Sequence, residues 1–129
     1  MQNENDSNTG KIFLLVGIIS IILATSYLFI YKYYLYQADV NARNNCIELK
    51  IAIANYKMDI GSFPTKVIGI DGLIIDPGVK GWKGPYYSLS LIDPWGTKYI
   101  YDLVKGKPIV SSAGKDCIHG NDDDVYERF

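Results

Sequence analysis

The spacing of apolar and polar positions divides the chain into four stretches. Residues 1–10, MQNENDSNTG, are almost wholly polar. They carry too little apolar surface to order themselves and read as a flexible leader. From Ile12 to Tyr31 the sequence is IFLLVGIISIILATSYLFIY, without one charged residue. Twenty helical residues at about 1.5 Å each span roughly 30 Å, the thickness of a bilayer core. The rest of a 129-residue chain is too small to surround a helix that is apolar on every face. A cleaved secretory signal would have positive charge ahead of a shorter apolar core, whereas Glu4 and Asp6 stand here. The pattern therefore predicts a transmembrane helix over 11–31. Tyrosines crowd its far end, from Tyr27 to Tyr36, where an apolar ring and a polar hydroxyl suit a membrane–water boundary. Lys11 and Lys32 flank the span on opposite sides and leave its orientation nearly balanced.

Residues 32–60 continue without a break, because Lys32 to Asp59 contains neither Gly nor Pro. Val40, Ile47, Ile51, Ala54 and Met58 recur at spacings of seven, four, three and four, a helical stripe. One helix of more than forty residues is expected, stopping at Gly61. Residues 61–129 change character. Gly and Pro punctuate short apolar pieces, and Asp93-Pro94-Trp95-Gly96 reads as a turn. Lys98 to Val104 reads as a strand with Tyr99, Tyr101 and Leu103 on one face. Lys105-Gly106-Lys107-Pro108 then connects it to a second strand at Ile109–Ser111. A small antiparallel sheet needs a cover, and the outer half of the long helix supplies one. The fold class is α+β.

Composition narrows the function. A net charge of −1 and the lack of a basic stripe argue against nucleic-acid binding. Cys46 and Cys117 lie 71 residues apart, which fits neither a CxxC pair nor a zinc ligand set. In an oxidising compartment they either pair or remain two isolated thiols. No nucleophile elbow, P-loop or zinc-protease motif occurs, and His119 is the only histidine, so no enzyme is indicated. Near the end, Asp116, Asp122, Asp123 and Asp124 fall within nine residues. Neighbouring carboxylates repel one another, and hard oxygen donors suit calcium better than zinc. The alternative is a solvated acidic turn.

Four patches together resemble the major pseudopilins of bacterial type II secretion, within the type IV pilin-like family. They are Ala52 to Thr65 (AIANYKMDIGSFPT), Trp82-Lys83-Gly84-Pro85-Tyr86, Asp93-Pro94-Trp95-Gly96-Thr97-Lys98-Tyr99, and Ser112 to Val125. They occur in the family's order and spacing. The resemblance implies a pilin-like fold: a long N-terminal helix, transmembrane in its first half, packed against a small antiparallel sheet. It implies a non-catalytic filament subunit in the inner membrane with its C-terminal domain in the periplasm. The expected partners are copies of itself, minor pseudopilins and the inner-membrane secretion platform. It also implies a Ca2+ site with side-chain donors Asp116, Asp123 and Asp124 and backbone donors Ala113 and Lys115. Leader cleavage is implied after Gly10. The family's next residue is usually Phe and its fifth mature residue Glu; here they are Lys11 and Leu15. That departure keeps a second reading open, a membrane-tethered pilin-like head that binds another extracytoplasmic protein without forming filaments.

Overall fold

The structure, a computed structural model, describes the backbone of residues 2–129 and the side chains from Asn8 onward. Met1 and the side chains of residues 2–7, Glu4 and Asp6 of the polar leader among them, lie outside the described residues. A single helix, α1, runs Gln2–Ile60 and includes the leader backbone from Gln2. Its uninterrupted course follows from the absence of Pro and the presence of only two glycines, Gly10 and Gly17. Gly61 ends it at φ +88°, donating its N–H to the Lys57 carbonyl at 2.8 Å, as expected for a left-handed residue after a helix C-terminus.

Internal contacts separate the chain into two units, Met1–Gln37 and Ala38–Phe129. Within the first unit, the large apolar side chains from Ile12 to Tyr31 are exposed. The hydroxyls there turn back onto their own helix: Ser20 donates to Val16 O at 2.8 Å and Thr25 to Ile21 O at 3.0 Å. Polar groups satisfied within the helix suit a solvent that offers no hydrogen bonds. This helix is long and apolar enough to cross a membrane.

In the second unit, α1 buries Ala42, Cys46, Leu49, Ala52, Ile53 and Tyr56. The covering face is not the stripe of Val40, Ile47, Ile51, Ala54 and Met58. Ile47, Ile51 and Met58 are 38%, 50% and 82% exposed, so they lie off the covering face. Both stripes have helical spacing; the buried one mixes Leu49 and Ile53 with small and amphipathic residues, Ala42, Cys46, Ala52 and Tyr56, that an apolar count ranks low. Ile70, Leu73, Tyr87, Tyr99 and Val110 complete the core from the other side.

The sheet has three antiparallel strands in the order β1 (Ile100–Val104), β2 (Lys107–Ser112) and β3 (Val125–Arg128). Tyr101 opposes Val110 and Leu103 opposes Pro108. The expected alternation of Tyr101 and Leu103 therefore places them toward the same side as buried Val110. The connection is tighter than expected, because only Lys105 and Gly106, at φ +52° and +76°, separate the strands. Two left-handed residues match the twist of a two-residue hairpin. The third strand, unexpected from the sequence, pairs Ser112 with Val125 and Ile109 with Arg128. Lys50 of α1 reaches Glu127 of β3 at 3.7 Å.

Candidate functional site

Polar contacts in the second unit fasten the singled-out patches in two pairs, Ala52–Thr65 to Trp82–Tyr86 and Asp93–Tyr99 to Ser112–Val125. The first is a clamp on the end of α1. Asp59, in the last helical turn, accepts from Lys83 Nζ at 2.8 Å and from the Tyr86 hydroxyl at 3.0 Å. Lys83 beside it holds the Asp59 carboxyl below the usual carboxylate value, chiefly by that hydrogen bond. Trp82 donates its indole N–H to Gly72 O at 2.9 Å. Tyr86 stacks edge-on between Trp82 and Tyr56, with centroids at 5.8 and 5.7 Å. The cis Gly84–Pro85 bond lies between these anchors. Trp82, Gly84, Pro85 and Tyr86 thus dock the first long loop onto the helix end, a structural role.

The second patch is centred on Asp93, buried at 5% exposure. Its Oδ1 accepts from the N–H groups of Trp95 at 3.1 Å and Thr97 at 2.8 Å. Its Oδ2 accepts from the Ser112 hydroxyl at 2.6 Å. The Gly96 N–H bonds to Asp93 O at 3.1 Å, closing the expected turn over Asp93, Pro94, Trp95 and Gly96. Ser112 Oγ also accepts from Gly114 N–H at 3.1 Å, so one carboxylate ties this turn to the start of the acidic loop. Sequence reading singled out neither Ser112 nor Asp59 as a contact residue; each sits inside a recognised patch, which is the signal that could have found it.

The acidic loop is the third patch. Asp116 accepts from Ile118 N–H at 2.8 Å and from the Asn121 amide at 2.7 Å. Asp124 Oδ2 accepts from Gly120 N–H at 2.8 Å. Asp123 Oδ2 accepts from Asp116 N–H at 3.3 Å. A Cβ on Gly114 would stand 2.7 Å from that Asp123 oxygen, so Gly114 is the residue that lets the two ends of the loop meet. Ala113 is fully buried, and Lys115 and Asp122 are exposed. Among the described residues, no group of three or more His, Cys, Asp or Glu side chains converges on one point. One observation fits a cation: Asp124 Oδ1 is buried and has no hydrogen-bond partner. An unpaired buried carboxylate oxygen is costly and calls for a hydrogen-bond donor or a cation.

The thiols do not pair. Cys46 is buried on α1 with its Sγ 3.7 Å from Val125 O, while exposed Cys117 lies 3.7 Å from Trp95 O. Each has its own carbonyl partner, which corrects the possible Cys46–Cys117 disulfide. Burial pushes the Cys46 thiol up to about 12. Cys117 has φ +60°, a left-handed conformation that a residue with a Cβ adopts at a cost. Gly10 and Lys11, the candidate cleavage position, are exposed within α1.

An apolar helix long enough to span a bilayer, followed by a small α+β domain fastened by turns rather than by a catalytic cluster, defines a pilin-like class of protein. Residues 34–127 match the family described as "Type II secretion system (T2SS), protein G". The type II secretion system core protein G of Klebsiella michiganensis is 32% identical over 91 residues, which make up 64% of this chain and 63% of that protein. The chain thus aligns with less than two thirds of that curated relative. Among solved structures, the major pseudopilin from the type 2 secretion system of enterohaemorrhagic Escherichia coli is similar in fold. It has a TM-score of 0.61 at 19% identity, covering 71% of this chain and 87% of that one. The chain belongs to the type II secretion system protein G family, a family of structural, non-enzymatic components. The match begins at residue 34, so the departures at Lys11 and Leu15 lie outside it.

Proposed function

We propose that this chain is a structural subunit of a type II secretion pseudopilus. It is held in the inner membrane by residues 11–31, exposes Ala38–Phe129 to the periplasm, and assembles with copies of itself into a filament that promotes protein export. The observation that carries this reading is α1 itself. Its apolar residues from Ile12 to Tyr31 are exposed, and they belong to the same helix that enters the family-matched region. Such a surface is stable only in lipid or against other apolar helices. Minor pseudopilins and the inner-membrane platform are the remaining partners of the proposal. The test is to express the full chain with and without a type II secretion apparatus, image the sheared cell-surface fraction, and sequence the mature N-terminus by mass spectrometry. Filaments containing this chain, with a start at Lys11, are expected. A monomeric membrane protein with an intact leader would support the tethered, non-filament reading instead.

The same proposal includes Ca2+ in the C-terminal loop, with Asp116, Asp123 and Asp124 and the carbonyls of Ala113 and Lys115 as donors. The unpaired Asp124 Oδ1 and an all-oxygen donor set support it. Bound calcium would relieve carboxylate repulsion and hold a loop that has little apolar surface of its own. Its chain-side cost is Cys117, whose φ of +60° a glycine would accept freely. Calcium should raise the melting temperature of the detergent-solubilised chain, and Asp123→Ala should remove most of that rise. An unchanged melting temperature, with no heat of calcium titration, would refute the site.

A further inference from the structure

The domain carries an apolar groove and an apolar knob whose rims have opposite charge. The groove, about 320 Å³, opens beside the β1–β2 hairpin and is lined by Val104, Lys107, Pro108, Ile109, Arg128 and Phe129. Val104 is 47% exposed. Lys107 and Arg128 are exposed, and so is Lys105 in the adjoining turn. Among the described residues, the ammonium groups of Lys105 and Lys107 make no ion pair, and the Arg128 guanidinium lies over the Tyr126 ring at 4.6 Å. The knob is Ile118, 62% exposed at the tip of the acidic loop. Asp116, which accepts from the Ile118 N–H at 2.8 Å, and Asp122 are exposed in the same loop, Asp123 and Asp124 partly so, and Lys115 is the one Lys or Arg of the 113–124 segment.

We infer that Ile118 of one copy of this chain docks in the Val104–Ile109–Phe129 groove of the next, with the aspartates of the loop facing Lys105, Lys107 and Arg128. The occupant is a second copy because the complementary rims are both carried by this chain. An acidic collar around an aliphatic side chain meets a basic collar around an aliphatic groove. The contact joins two different patches, so it is heterologous: it does not close a two-fold dimer, and it propagates into an open array wherever the rotation between copies does not close a ring. Opposed charges set register and reject like-charged approaches more than they add affinity. A single side chain in a shallow groove is weak alone, but it gains effective concentration when membrane helices already hold the heads side by side. Asp122 lies outside the proposed calcium donors, so it keeps its charge whether or not a cation is bound.

This inference rests on the filament reading and refines it, and the experiment separates the two. In the full chain in membranes, Val104→Cys places a thiol on the groove rim within reach of native Cys117 on a neighbouring copy. A short bismaleimide should then give a ladder of oligomers beyond that of the native chain. Cys117→Ser should abolish it, and Val67→Cys, which lies outside the groove, should not produce it. In the Val104→Cys background, Lys107→Glu or Asp122→Lys should each lower ladder yield by up to about fivefold, the upper end for one exposed charge pair. The two substitutions together should restore it, which loss of folding would not do. No ladder from Val104→Cys, or singles without effect, or a pair that fails to restore, overturns the contact. Filaments that persist in any of these cases leave the proposed function standing. A native chain that neither forms filaments nor yields any cross-linked species overturns both.

Discussion

Replacing Asp93 with alanine should unfold the second unit more readily than any surface change. The carboxylate is buried and accepts three hydrogen bonds, from Trp95 N, Thr97 N and Ser112 Oγ. Hydrogen bonds to a charged group contribute about 1.5–3 kcal/mol each, and a buried donor left unpaired costs about 1–3 kcal/mol. Two of the donors are backbone amides in a closed turn and cannot move away. Water entering the vacated space recovers part of the loss. A net cost of about 3–5 kcal/mol follows for Asp93→Ala, a large share of the 5–15 kcal/mol typical of a folded domain. Asp93→Asn retains one acceptor oxygen for the amides and presents an NH2 group to Ser112 Oγ, so about 1–2 kcal/mol is expected. Because Ser112 Oγ also holds the Gly114 amide at 3.1 Å, the alanine variant should further loosen the acidic loop. The assay is urea unfolding of the full chain in detergent, followed by tryptophan fluorescence, with Trp82 and Trp95 both in the second unit. Limited proteolysis in the 113–124 segment reports the loop. If Asp93→Ala unfolds within about 0.5 kcal/mol of the native chain, as an ordinary surface change would, the carboxylate does not organise this region.

Three further outcomes are expected. Leu49→Ala, at a fully buried position, should cost about 2–5 kcal/mol by urea unfolding, whereas Ile51→Ala, half exposed on the other stripe, should stay near 0.5 kcal/mol; equal losses would refute the assignment of the covering face. Asp59 and Asp102 are held below the ordinary 3.8, Asp59 by Lys83 and Asp102 by Lys66 and then the Leu103 amide, so their contribution is full above that value and lost as pH falls through the lower folded values. Acid unfolding monitored by circular dichroism should therefore lose a step in the Asp59→Asn, Asp102→Asn double variant. Finally, iodoacetamide at pH 8 should label one thiol per native chain, at Cys117, and reach Cys46 only after unfolding, because the buried thiol stays protonated with its value near 12; rapid double labelling by mass spectrometry would contradict the burial.

What was legible in the sequence was what repeats or forbids. A run without charge, a segment without Gly or Pro, and Pro–Gly turns each leave few backbone choices, and the long helix, the hairpin and the Asp93 turn followed from them. The third strand did not, because Val125–Arg128 is four residues with two charges; its pairing comes from β2 beside it and α1 beneath it, neither of which a local pattern contains. The loop contacts of Ser112 and Asn121 were hidden for the same reason. The covering face of α1 was not legible for a different reason. An apolar stripe tells that a helix has something to cover and not whether the cover is its own domain. Cys46, Ala52 and Tyr56 serve the chain's own sheet, where small and amphipathic residues allow the close approach of Tyr87, Tyr99 and Val110. Ile47, Ile51 and Met58 remain outward. A soluble monomer gains nothing from keeping three large aliphatic side chains on a second face of one helix. A subunit whose helix must also pack against neighbours does gain from it, so the stripe that leaves the sheet uncovered is the one that agrees with the proposed assembly.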